Sequence, residues 1–245
     1  MNREEKRLFK PGNMLYPVPA VLVSAADRDG KSNLFTVAWA GTVCTNPPML
    51  SISVRPERYS YHMIRETGEF VVNLTTESMA WAVDYCGVRS GRDTDKWEDA
   101  GLTRAKAREV AVPLVAESPV SLECRVERVE ELGSHHMFIA RVVAVDVSPA
   151  YFDEKDTFHL SDARLLAYSH GGYYGLGECL GTFGYSVRKE SSSKAGKSGR
   201  GRSGKDGPSG VRGRRTGGRG GAGKAPSSPV LKKRGRKNEK RKDAE

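Results

Sequence analysis

Between Tyr85 and Trp97 the chain reads Tyr-Cys-Gly-Val-Arg-Ser-Gly-Arg-Asp-Thr-Asp-Lys-Trp. Those residue types, so closely spaced, could hold a phosphate. Gly87 and Gly91 let a backbone approach closely. Ser90 offers a hydroxyl, and Arg92 and Lys96 offer positive charge. Asp93 or Thr94 suits a helix N-cap, and Gly101 suits the matching stop. Lys96 then falls in the first helical turn, where the helix dipole disfavours a cation. A bound anion would remove the conflict. Asp93 and Asp95 would soften it too, so a well-capped surface helix is the plain alternative.

Three further groups carry polar chemistry. In Ser32-Asn33-Leu34-Phe35-Thr36-Val37-Ala38-Trp39 the polar side chains recur every third residue, where a half-buried strand would repeat every second. A kinked strand could turn Asn33, Thr36 and Trp39 toward one ligand, with an amide, a hydroxyl and an indole plane. Otherwise they are a turn residue, a β-former and a core aromatic. Ser51 and Ser53 share one strand face, followed by Arg55, Arg58, Tyr59 and Ser60. That set suits a polyol and its phosphate, or a solvated strand edge. Leu180-Gly181-Thr182-Phe183-Gly184-Tyr185-Ser186 sets an aromatic between glycines, either for close backbone passage or as a latch on the core.

Short strands must position these groups. Val18 to Ala25 is β-rich and ends at the turn signal Asp27-Arg28-Asp29-Gly30. Leu34 to Val43 is strand-like. Met49 to Val54 alternates, with Leu50, Ile52 and Val54 on one face. Ser60 to Thr67 reads as a helix closed by Gly68, Phe70 to Leu74 as a buried strand, and Ser78 to Tyr85 and Thr94 to Ala100 as helices. Two long strands follow. In Val120 to Leu132, Leu122, Cys124 and Val126 oppose Glu123, Arg125 and Glu127. In His136 to Val147, Phe138, Ala140 and Val142 oppose Ile139, Arg141 and Val143. Arg164 to Ser169 is a last strand. Many strands, few short helices and no βαβ rhythm predict a closed or nearly closed antiparallel barrel.

Charge divides the chain. Arg188 to Glu245 holds 20 Lys+Arg and 5 Asp+Glu, or +15, against 20 and 25, or −5, for Met1 to Val187. The basic segment has no aromatic, His or Cys and is rich in Gly and Ser, so residues 188–245 read as a disordered tail behind a folded domain of residues 1–187. Repeated Arg-Gly and Lys-Arg clusters would bind any polyanion, nucleic acid included, without sequence readout. The four cysteines form no CxxC pair and have no zinc spacing, which implies reduced, structural thiols and no metal site. The charged N-terminus and the absence of a long apolar run imply no signal peptide and no membrane span, hence a cytoplasmic location.

Taken together, these groups resemble the flavin reductase-like family with the FMN-binding split barrel, especially its flavoredoxin-type members. The shared features are Asn33-x-x-Thr36-x-x-Trp39, Thr45-Asn46-Pro47-Pro48, Thr67-Gly68-Glu69-Phe70-Val71-Val72-Asn73, Asp84-Tyr85-Cys86-Gly87 with Ser90-Gly91-Arg92-Asp93 and Asp95-Lys96, and Leu180-Gly181-Thr182-Phe183-Gly184. They occur in this order over roughly Pro17 to Ser186. The resemblance implies a mainly β, antiparallel Greek-key split barrel with a few short helices. It implies FMN held by Asn33, Thr36 and Trp39 with the backbone between them at the ring, by Ser53, Arg55 and Ser60 along the ribityl chain and phosphate, and by Ser90, Gly91 and Lys96 at the phosphate. His135 or His136, with Phe183, would close the site from a partner subunit of a homodimer. No catalytic acid–base pair is implied. The activity expected is that of an NAD(P)H-dependent flavin reductase or a flavoredoxin-like electron carrier, with an undetermined acceptor. A non-redox FMN binder and a nucleic-acid-associated protein acting through the basic tail are the rival readings.

Overall fold

The computed structural model describes residues 5–188, so the reading of 188–245 as a tail lies, from residue 189 on, outside the described residues. Strands β1 (Val18–Pro19), β2 (Val21–Ala26), β3 (Ser32–Val37), β4 (Ala40–Cys44) and β5 (Met49–Val54) precede helix α1 (Tyr59–Thr67) and strand β6 (Glu69–Asn73). Helices α2 (Ala80–Val88) and α3 (Lys96–Asp99) follow, then short strands β7 (Arg104–Ala105) and β8 (Leu114–Val115). Strands β9 (Val120–Glu131), β10 (His136–Val147), β11 (Leu166–Ser169) and β12 (Gly172–Gly175) complete the order.

Seven strands form one antiparallel sheet in the order β3-β2-β6-β9-β10-β5-β4. Its two edges, β3 and β4, are separated along the chain by only Ala38 and Trp39. The sheet therefore has to curl until its edges meet at those two residues, and the Ser53 amide donates to the Trp39 carbonyl at 2.8 Å, which extends the β4–β5 ladder into the bend. The run read from Leu34 to Val43 is thus two strands and a bend. That bend accounts for the three-residue polar spacing, because a kinked strand no longer alternates its faces. The inward faces supply Val23, Phe35, Ile52, Phe70, Cys124 and Phe138, all buried.

Outside the barrel, α2, Trp97 and Leu166 pack over Leu22 and Leu34 in a second core. This explains why β2 is buried along its whole length. A third core lies under residues 107–114. That cover changes the meaning of Glu123. Period-two alternation sets it opposite the barrel core, yet it is fully buried, because residues 108–110 cross over it. Its carboxylate accepts the amides of Arg108, Glu109 and Val110 at 2.7–2.9 Å. Register shifts in β10 bring Asp146 beside it.

Local signals place most of the helix ends. Gly68 stops α1 in the left-handed conformation (φ 70°), its amide returning to Ile64 O. Three readings are corrected. Helix α2 runs on to Val88, so Gly87 is helical, not part of a loop; a Cβ there would come within 3.3 Å of Thr36. Helix α3 is four residues long and is capped by Asp95, whose side chain accepts the Trp97 amide at 2.9 Å; neither Asp93 nor Thr94 is the cap. The last strand is half of a hairpin, β11–β12, turning at His170 and Gly171 with φ 46° and 91°. Two successive positive φ values match the right-handed twist of the strands they join. The four cysteines are free. Burial pushes the Cys86 and Cys124 thiols up to about 11 and about 12, which keeps them neutral. No helix among the described residues is long and apolar enough to cross a membrane.

Candidate functional site

Two adjoining hollows lie along the junction of β3 with β4. The larger, about 400 Å³, is lined by Asn33 from β3, Arg55 and Arg58 from the turn before α1, Tyr59 and Ser60 at its start, Arg89, Ser90, Gly91 and Arg92 from the segment joining α2 to α3, and Lys96 at the start of α3. The smaller, about 160 Å³, is lined by residues 35–39, Ser53, Arg55, Arg58 and His135. They share Phe35, Arg55 and Arg58, so they form one bent cleft. The fold thus brings Asn33, Thr36, Trp39, Ser53, Arg55, Ser60, Ser90, Gly91, Lys96 and His135 together, from segments up to about a hundred residues apart.

Two of these side chains already have partners within the chain. Thr36 Oγ1 donates to the Val83 carbonyl, which ties β3 to α2. Its hydroxyl proton is therefore committed to α2. Asn33 is buried and donates to Ser60 Oγ at 2.8 Å, fixing the first turn of α1 against β3. Gly91 packs so closely beside this pair that a Cβ would lie 2.2 Å from Asn33 Oδ1 and 2.7 Å from the Tyr59 ring. Only glycine fits there without a shift.

The two candidate histidines are separated by strand geometry. His136 hydrogen-bonds the Tyr61 hydroxyl through Nδ1 at 2.7 Å and stacks edge-on against its ring. His135 faces the cleft. Burial, followed by the Arg55 charge, holds its pKa below the ordinary histidine value, so it favours the neutral imidazole. Phe183 is fully exposed and lines neither hollow. Within its own chain it neither closes the site nor latches the core.

Lys96 is only 3% exposed. Its ammonium donates to the Cys86 carbonyl at 2.8 Å. Burial lowers its pKa to about 8, with the Arg58 charge acting in the same direction. The argument from a helix dipole falls away with a helix of four residues; the conflict at Lys96 is one of desolvation. An ammonium has three protons to donate, and the hollow it borders also holds four guanidinium groups, those of Arg55, Arg58, Arg89 and Arg92, two serine hydroxyls and one carboxylate, Glu57, which pairs with Arg55 at 3.8 Å. That donor set fits a phosphate monoester, and Gly91 supplies close backbone approach for it. Sequence reasoning set Arg58 beside a possible phosphate but did not carry it into the site. It precedes α1 as N-cap, and its Nη1 donates to the Gly87 carbonyl at 3.1 Å, joining α1 to α2. No group of three or more His, Cys, Asp or Glu that could hold a metal occurs among the described residues.

This cleft, at the junction of a curled antiparallel sheet, is that of a split-barrel protein. The description of the flavin reductase-like domain matches residues 13–177, and the chain belongs to that family. Among solved structures it is similar to the flavoredoxin of Desulfovibrio vulgaris (Miyazaki F), at 28% identity and a TM-score of 0.69, over 75% of this chain and all of that one. It is similar as well to the flavoredoxin of Methanosarcina acetivorans, at 29% identity and a TM-score of 0.68, over 76% of this chain and all of that one. A flavin reductase of Pseudomonas putida is 26% identical over 161 residues, which are 66% of this chain and 84% of the relative.

Proposed function

We propose that the chain is an FMN-binding oxidoreductase that draws electrons from NAD(P)H, as a flavin reductase or a flavoredoxin-like carrier. The observation that carries this reading is the buried Lys96 ammonium at the wall of a hollow lined by Arg55, Arg58 and Arg92. Such a cluster is stabilised by a dianion, and family membership supports a flavin phosphate as that dianion. FMN, when bound, supplies the two-electron chemistry that no side chain of the cleft offers.

The protein's own part is to bind and orient. Lys96, Ser90 and the Gly91 backbone hold the phosphate. Ser53, Ser60 and Arg55 line the path of the ribityl chain. The backbone of residues 36–38, with Trp39 and His135, frames the ring. Exposed apolar residues at both ends of the described chain, among them Leu15, Leu180 and Phe183, are 87%, 93% and 106% exposed. A second copy would bury them, and such a homodimer would let Phe183 reach its partner's cleft. The deciding experiment is an absorption spectrum of the purified protein with FMN, followed by anaerobic NADH and then NADPH. Bleaching of the flavin bands by one donor supports the reductase and names its donor. Bands that persist with both donors, and with a partner reductase added, mark a non-redox binder. A protein that takes up no FMN overturns the proposal.

A further inference from the structure

The phosphate hollow does not end at Gly91. A cavity of about 840 Å³ opens beyond it and shares Asn33, Gly91, Arg92 and Lys96 with it. Gly91, packed against Asn33 and Tyr59, forms part of the wall that the two share. Tyr59 stands in this partition with two cations against its ring, Lys31 Nζ and Arg92 Cζ, each 5.5 Å from the centroid. Arg104 and Lys106 line the larger cavity as well. Five cations thus face two carboxylates, Asp93 and Asp95. Asp95 is paired with Arg104 at 3.1 Å, and Arg104 also reaches Ser32 Oγ at 3.2 Å.

The rest of this wall is apolar: Ala107, Val110, Val112 and Pro113. It is also held in place. Glu123 fixes the amides of Arg108, Glu109 and Val110, and Glu69 accepts the Ala111 amide at 2.8 Å. An occupant must therefore be continuous with a phosphate at Gly91, carry negative charge of its own, and present a flat apolar part to the Val110–Val112 wall. We propose that this cavity takes the adenylate half of FAD, so that the chain binds FAD in preference to FMN. The pyrophosphate would pass Gly91 between Lys96 and Arg92, and the adenosine would lie beside Arg104 and Lys106. The proposal rests on the flavin reading of the adjoining cleft.

The test is a pair of titrations of the full chain, with FMN and with FAD, followed by flavin fluorescence at fixed ionic strength. FAD is expected to bind about tenfold or more tightly than FMN, the margin of one charge-assisted contact. Arg104→Gln with Lys106→Ala should remove that margin and leave FMN affinity unchanged. Lys106 is exposed, so Lys106→Ala alone leaves the fold intact and should remove part of the margin. Equal affinities for the two flavins overturn the proposal alone, as does a preference for FAD that survives both substitutions. Failure to bind either flavin overturns the reading of the cleft itself.

Discussion

Lys96 shows how one residue's surroundings set the behaviour of the whole cleft. A cation buried with little compensation resists its own charge, which is why its pKa falls to about 8. A phosphate dianion reverses that balance by favouring the ammonium. Above pH 8, then, FMN binding should draw a proton from solution, and affinity should weaken as pH rises. Calorimetry at pH 9 in buffers of different ionisation enthalpy checks this: the apparent heat should vary with the buffer for the wild type and cease to do so in Lys96→Ala. The same variant should lose about tenfold or more in FMN affinity, the worth of a charge-assisted hydrogen bond at roughly 1.5–3 kcal/mol. Lys96 was legible in the sequence as a phosphate candidate, from its glycine and serine neighbours. The reason it matters was not legible, because nothing in the order of residues announces a buried lysine. His135 and His136 were indistinguishable for a related reason. Strand alternation says that they face opposite ways, but only the Tyr61 hydroxyl decides which of them faces inward.

At the scale of elements, the segment over the third core is held by two carboxyl groups that share their surroundings. Burial pushes Glu123 up, but the amides of Arg108, Glu109 and Val110 and the Asp146 side chain outweigh it, so its pKa lies below the ordinary value. Asp146 is raised, by burial first and then by Glu123. Glu123→Ala leaves three amides without acceptors and should destabilise the fold by about 3 kcal/mol, read as a lower urea midpoint. Asp146 behaves in the opposite sense. A carboxyl whose folded pKa is raised contributes fully at low pH and loses that contribution as pH climbs through its folded value. Asp146→Asn keeps a proton donor beside Glu123 at every pH. It forfeits only the pairing of Asp146 with Arg108, whose side chain is 79% exposed, which is worth little. Urea titrations from pH 4 to pH 8 should therefore show Asp146→Asn gaining on the wild type as pH rises. Three strands were legible almost to the residue, Met49 to Val54 and the long pair, because alternation marks their core face, whereas the break of Leu34 to Val43 into two strands and the hairpin partner β12 were not. The burial of Glu123 was not, because it depends on a crossing segment with no periodic pattern of its own.

For the molecule as a whole, the contrast between −5 for residues 1–187 and +15 for 188–245 leads to the expectation that flavin and polyanion engage different parts of the chain. Deleting 188–245 should leave FMN affinity unchanged and abolish salt-sensitive retention on an immobilised polyanion, both measurable on one preparation. The architecture was legible from strand number and the lack of a βαβ rhythm. The position of the cleft was not, because it follows from how the sheet closes, and that rests on a bend of two residues. This bend has a consequence for motion. Ala38 and Trp39 join opposite edges of a seven-stranded sheet, and the cleft lies along that joint. A ligand seated there acts as a keystone, spanning two margins that are otherwise joined by one short length of chain. Its presence should be felt first as slower deuterium uptake at the amides of residues 36–39 and Ser53, well before any change reaches the far side of the barrel at β6 and β9. Uniform slowing across all seven strands would mean that the barrel opens as one piece and that the joint is no weaker than the rest.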